Sequence, residues 1–239
     1  MPNNNPPPEA DQPLSFSGHL YAQGANITSL YSKGLAGIAA SYINKKWSPV
    51  LIPAGSKKPT GDWHLKQYVP SDFEKDCNIG MKMGAASCGL TDVDLDCEEA
   101  EHFATYWLPK TPAVFGRNGE PRHYLYNTDL HKVEEKAVTK YSDPTSKTEA
   151  SIVELRTGGN DRAAQTVFPG SKLPPDEVRW HNGFDVSKDQ IPRVNGAKLK
   201  DAVAKIAMAT LLARNWPIKT KRHNMEQSLV ECWPELNGA

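Results

Sequence analysis

Two hydrophobic periods alternate along this chain. Leu35, Ile38, Ala39, Tyr42 and Ile43 recur at helical spacing, with Trp47 and Pro49 closing the segment and the strand-like run Val50-Leu51-Ile52 following it. After a loop from Pro53 to Trp63, short apolar runs bounded by Gly, Pro or Asn appear at Ile79 to Met83, Leu90 to Leu95, Ala113 to Phe115, His123 to Tyr126, Ile152 to Leu155 and Thr166 to Phe168. Between the second and third of these, Ala100, Phe103, Ala104 and Trp107 share one helical face of Glu98 to Trp107. The polar stretch from His131 to Ala150 reads as a surface loop or excursion. Val203, Ile206, Ala207, Leu211 and Leu212 then mark a helix over Leu199 to Trp216, with a Pro-basic turn at Pro217 to Arg222 and a second helical segment at Asn224 to Cys232. The pattern predicts an α+β or mixed α/β domain. It is preceded by a flexible extension over residues 1–30, rich in Asn, Pro, Gly and Ser, and followed by a helical, basic-biased segment over 196–239. That last segment reads as the opening of a further domain of a longer protein.

Composition narrows the classes. A chain of 239 residues holds one good core and a small second unit. No apolar run approaches the roughly 18 residues of a membrane span, and the Pro- and Asn-rich N-terminus lacks the basic start and apolar centre of a signal peptide, so a cytoplasmic protein is expected. The formal net charge is zero, which weighs against a large nonspecific nucleic-acid surface but permits local segregation. Cys77, Cys88, Cys97 and Cys232 form no C-x-x-C pair. Cys77, Cys88, Cys97 and His102 make a poor zinc set, because Cys88 and Cys97 flank one strand at opposite ends; no structural zinc is expected.

The densest chemistry lies in Gly89-Leu90-Thr91-Asp92-Val93-Asp94-Leu95-Asp96. On a strand the three aspartates line one face, while Val93 and Leu95 turn to a core. Three like charges on one face repel unless a cation or solvent intervenes, and Mg²⁺ or Mn²⁺ favours clustered carboxylates. The alternative is an edge strand with a solvated acidic face.

Further motifs follow in order: Thr111-Pro112, then Pro121-Arg122-His123-Tyr124-Leu125-Tyr126, then Val153-Glu154-Leu155-Arg156-Thr157-Gly158-Gly159, then Val167-Phe168-Pro169-Gly170-Ser171. The set resembles the N-terminal primase-polymerase (prim-pol) domain of the archaeo-eukaryotic primase superfamily, known from plasmid and phage replication proteins. The resemblance spans roughly Leu35 to Trp180 and implies a catalytic domain over 31–195 built on an RRM-like sheet. It implies metal ligands at Asp94, Asp96 and Glu154, and a nucleotide-contacting His123. Asp92 is an additional acid, and Pro121 stands where that family usually has Ser or Gly. Arg122, Arg156, Lys57, Lys58 and Ser171 join His123 as candidate nucleotide contacts.

The implied activity is DNA-templated primer synthesis or extension from dNTP or NTP with Mg²⁺ or Mn²⁺ at a two-metal site. The implied partners are a single-stranded template, a primer and a C-terminal helicase domain, and no membrane. Two other functions use similar residues: a replication-initiator module that binds nucleic acid without synthesis, and a metal-dependent nuclease. Blander roles stay open too. His123 reads equally as a half-buried strand residue, Glu154 and Arg156 as a same-face ion pair, Lys57 and Lys58 as solvated, and Gly158-Gly159 as a turn.

Overall fold

The computed structural model describes residues 34–74, 76–134, 136–159, 163–183 and 185–215. The expected N-terminal extension, the basic turn at Pro217 to Arg222 and the second C-terminal helical segment lie outside the described residues.

Helix α1 (Gly34–Asn44) leads into strand β1 (Pro49–Pro53), as the periodicity predicts. β2 (Cys77–Lys82) and β8 (Gln165–Val167) join β1 in a small antiparallel sheet of order β1-β2-β8. The larger sheet contains β3 (Leu90–Leu95), β4 (Val114–Arg117), β5 (His123–Asn127), β6 (Val138–Ser142), β7 (Ser151–Arg156), β9 (Lys172–Leu173) and β10 (Asp176–Trp180), in the order β6-β7-β3-β5-β4-β10-β9. Helix α2 (Glu98–Trp107) follows β3, and its first-turn acids Glu98, Glu99 and Glu101 suit the positive end of its dipole. The one-turn α3 (Leu130–Val133) follows β5, and the 20-residue α4 (Gly196–Asn215) comes last. The chain is an α+β protein, and no described helix is long and apolar enough to cross a membrane.

The strands β7-β3-β5-β4 form an antiparallel core in which β3 and β4 are joined through α2 and separated by β5. This is the split βαβ arrangement. The connection from β5 to β7 carries only the short α3 and β6, so it brings no long second helix to cover the sheet. α4 takes that place: its Leu199, Val203 and Ile206 are buried with Val93, Leu95, Leu155 and the apolar face of α2. Arg214 ties its last turn to Glu99 of α2 at 2.9 and 3.0 Å and to Asp143 at 3.1 Å.

On the opposite face lie α1 and the small sheet, where Ile38, Tyr42, Ile79 and Met81 pack with Phe115, Leu125 and Phe168. The alternation of β3 therefore separates two cores. Val93 and Leu95 enter the helical one, and Asp92 and Asp94 face the seam between the sheets.

One alternative falls, one reading changes and two strands are added. The acidic strand is not an edge: β3 is hydrogen-bonded to β5 and β7, and the small sheet covers part of its acidic face. The 131–150 stretch is not simply an excursion, because it holds most of α3 and the edge strand β6, none of whose residues is fully buried, in keeping with its polar sequence. β9 and β10 were not legible as strands; Pro174 and Pro175 join them, β9 is only two residues long, and three of the five residues of β10 are charged.

Candidate active site

Antiparallel pairing brings the candidate residues together by register. Asp94 lies opposite His123 of β5 and also opposite Glu154 of β7, while Asp92 lies opposite Arg156. Directly opposed residues share a sheet face, so a single face collects two acids from β3, an acid and a guanidinium from β7, and an imidazole from β5.

Arg156 occupies the centre of this group. Its Nη2 lies 2.5 Å from Asp94 Oδ2 and 2.8 Å from Glu154 Oε2, and its Nη1 lies 3.3 Å from Asp92 Oδ2. Nη1 also donates to Thr166 Oγ1 at 3.2 Å. The Glu154–Arg156 pairing is thus present, but as one arm of a network that includes both buried aspartates. Burial opposes a charged guanidinium, yet Asp94, Asp92 and Glu154 raise its pKa further and keep it protonated.

His123 is held on two sides. Its Nδ1 lies 3.1 and 3.3 Å from the Asp92 carboxylate oxygens and 3.4 Å from Asp94 Oδ1. Its ring stacks on Phe115, with centroids 4.6 Å apart and planes 11° from parallel. Burial alone would lower its pKa, but Asp94 and Asp92 raise it above the ordinary imidazole value. His123 lines both cavities, and with Nδ1 committed to the carboxylates Nε2 is the ring nitrogen left to meet a ligand there.

The three alternating acids have different surroundings. Asp92 is 0 % exposed, and burial would raise its pKa, but His123, Arg156 and a 2.6 Å hydrogen bond from Thr166 Oγ1 lower it. Asp94 is 7 % exposed and its pKa is raised, by burial and by repulsion from Asp92 and Asp96. Asp96 follows the end of β3 and is exposed. Asp94 and Asp96 line two adjoining cavities of about 250 and 820 Å³, together with Lys57, Arg117 and His123. The larger also meets Arg122, which is paired with Glu101. The volumes suit a small polar molecule.

Three candidates stand apart. Glu154 lines neither cavity, and its carboxylate lies 2.8 Å from Arg156 Nη2 and 3.9 Å from Lys140 Nζ. Ser171 is 1 % exposed, and its Oγ accepts from Ile79 N at 2.9 Å and donates to Ile79 O at 3.0 Å; this hydroxyl joins β2 to the loop after β8 rather than lining either cavity. Lys58 is exposed outside both linings, in a turn closed by Ser56. Gly158 has φ +56°, and a Cβ there would lie 2.4 Å from Met83 O, so it serves a close approach between backbones.

Sequence reading missed Thr166, Phe115, Gly116 and Arg117. Thr166 and Phe115 sit in runs that read as strands, and only long-range pairing reveals what they touch. Gly116 lines the smaller cavity where the β4–β5 turn closes so tightly that a Cβ would lie 2.2 Å from Glu120 O.

Carboxylate oxygens are the donors a hard divalent cation takes. Asp94 and Asp96 offer carboxylate oxygens to one cavity, and the Arg156 guanidinium already bridges Asp94 and Glu154 as a cationic group. Among the described residues no group of three acids, histidines or cysteines that could hold a metal ion is gathered, and Asp94 and Glu154 are both paired with Arg156.

No curated protein matches the chain. A family model described as "Bifunctional DNA primase/polymerase, N-terminal" matches residues 39–195, a span that contains all ten strands and every residue of the site. With well over half of its length matched, the chain belongs to the bifunctional DNA primase/polymerase N-terminal family.

Proposed function

We propose that this protein extends or synthesises primers on single-stranded DNA by nucleotidyl transfer from nucleoside triphosphates, with Asp94, Asp96 and Glu154 holding Mg²⁺ or Mn²⁺. Family membership supports DNA primase/polymerase activity in general, and enzymes of this family are generally dependent on divalent metal. The observation that carries the finer reading is the register that sets Asp94 opposite both His123 and Glu154, with Asp94 and His123 on a cavity wall that also presents Lys57 and Arg117.

In the reaction a primer 3′-hydroxyl attacks the α-phosphate, the new P–O bond forms and pyrophosphate leaves. The metal, when bound, supplies positive charge to the attacking and leaving oxygens. The protein's own residues bind and orient. His123 donates from Nε2 to a phosphate oxygen, while Nδ1 stays on its carboxylates. Lys57 and Arg117, both exposed on the cavity rim, balance the triphosphate charge. Arg156 neutralises Asp92, Asp94 and Glu154 on the sheet face and holds their carboxylates in place.

The test is extension of a primed single-stranded template with dNTP or NTP, in Mg²⁺ or Mn²⁺, by wild type and by Asp94→Asn/Asp96→Asn. Extension by wild type and at least a hundredfold loss in the double variant supports the reading. Template binding without synthesis would favour an initiator module, and template degradation independent of triphosphate would favour a nuclease.

A further inference from the structure

We propose that Asp92 is a positioning residue for His123: it selects which edge of the imidazole faces the cavity and takes no part in holding metal or substrate. The inference rests on the polymerase reading only for its kinetic arm.

The contacts of Asp92 differ in kind from those of Asp94 and Asp96. It lines neither cavity and is wholly buried. Its oxygens meet three donor groups on three different strands: His123 Nδ1 at 3.1 and 3.3 Å, Thr166 Oγ1 at 2.6 Å and Arg156 Nη1 at 3.3 Å. Three of these contacts fall on Oδ2, and Oδ1 shares the His123 proton, so both oxygens are engaged inside the protein. With no cavity beside it, the carboxylate has no open side to turn toward a ligand.

Stacking on Phe115 fixes the plane of the His123 ring, but it does not distinguish the two orientations related by a half-turn about the Cβ–Cγ bond. That half-turn exchanges Nδ1 with Cδ2, and Nε2 with Cε1. A C–H cannot replace N–H as a donor to a buried carboxylate, so Asp92 favours the orientation with Nδ1 inward and Nε2 outward. Holding Nδ1 as N–H also sets the ring's proton arrangement.

Nitrogen-15 NMR of the histidine-labelled full chain tests the placement without requiring synthesis. Wild type should show one His123 ring state with a slowly exchanging, hydrogen-bonded Nδ1–H, and Asp92→Leu should lose that proton's protection. Asp92→Asn keeps an acceptor and should retain it. In extension assays, two orientations and two tautomers leave as few as about one arrangement in four competent, and Asp94 remains as a second acceptor for Nδ1, so Asp92→Leu should raise the nucleotide KM by up to about fourfold with kcat little changed. Asp92→Asn should stay near wild type. A wild-type His123 without an Nδ1 hydrogen bond overturns the proposal. So does a folded Asp92→Asn that loses KM as fully as Asp92→Leu, since a general structural or charge effect would then account for both. Should Asp92→Leu not fold, the wild-type spectrum and Asp92→Asn still decide. Absence of synthesis by wild type would count against the polymerase reading alone and leave the NMR result standing.

Discussion

Replacing Thr166 by valine removes one hydroxyl from the buried junction between the sheets and changes little else in shape. Thr166 is 1 % exposed, its Oγ1 donates to Asp92 at 2.6 Å, and it accepts from Arg156 at 3.2 Å. Valine is close to isosteric, so no cavity adds to the cost. The Arg156 bond is the cheaper loss, because that guanidinium keeps Asp94, Glu154 and Asp92. The bond to the buried carboxylate is charge-assisted, and its removal costs about 1.5–3 kcal/mol. At about 2–4 °C per kcal/mol for a domain of this size, a loss near 2 kcal/mol lowers Tm by about 4–8 °C. In urea, the midpoint should fall with the slope unchanged. The sign of the pH dependence follows from Asp92, whose native pKa lies below the ordinary carboxylate value. Its stabilisation is complete above the unfolded value of about 4 and fades as pH falls toward the native one. Valine raises the native pKa, so the gap between wild type and variant should narrow in acid. A loss below about 0.5 kcal/mol at pH 7 would refute the reasoning, because the carboxylate would then not depend on this donor.

Four further outcomes follow from the same geometry. Ser171→Ala should cost about 1–3 kcal/mol in denaturant unfolding while leaving the nucleotide KM unchanged, since both Oγ bonds go to Ile79. Lys57→Ala should raise the nucleotide KM severalfold and Lys58→Ala should not, as only Lys57 lines the cavities; equal effects would count against this assignment. Gly116→Ala should lower both extension activity and Tm, because the added methyl meets the Glu120 carbonyl and forces the β4–β5 turn open. Arg214→Ala should destabilise by about 0.5–1 kcal/mol near neutral pH, a figure held down by solvent screening of a partly exposed pair. Arg214 holds Glu99 down at about 2, so this difference should be present above the unfolded value of about 4 and should vanish as pH falls toward 2.

The parts legible in the sequence were those fixed by local alternation. β3 and α2 begin and end where their patterns do, because a period of two with Val93 and Leu95 inward and a helical stripe from Ala100 to Trp107 each satisfy one core. The same alternation put Asp92, Asp94 and Asp96 on one side, but it carried no information about what would lie over them. β8 covers Asp92 through Thr166, which is 74 positions away along the chain, and strand end leaves Asp96 open. Burial therefore divided residues that looked equivalent. The polar β6 was read as a loop for the same reason: an edge strand needs only one partner, and its sequence need not show an apolar face. The motif order placed His123 and Glu154 near the acids, and antiparallel register turned that nearness into opposition. Ser171 illustrates the limit, since a serine after a glycine in a motif looks the same whether it meets phosphate or backbone.

The family match ends at residue 195, and α4 begins at Gly196. What is shared among relatives and what is needed to close this core are therefore different lengths of chain. A protein trimmed at the family boundary would bare Val93, Leu95 and Leu155 along one face of the central sheet, and would expose them to aggregation before any question of catalysis arose. The dependence also runs the other way. β7 carries Val153 and Leu155 toward α4 and Glu154 and Arg156 toward the site, so one strand serves as the common wall of both compartments. A force on α4 reaches Glu154 and its partners through a single layer of backbone.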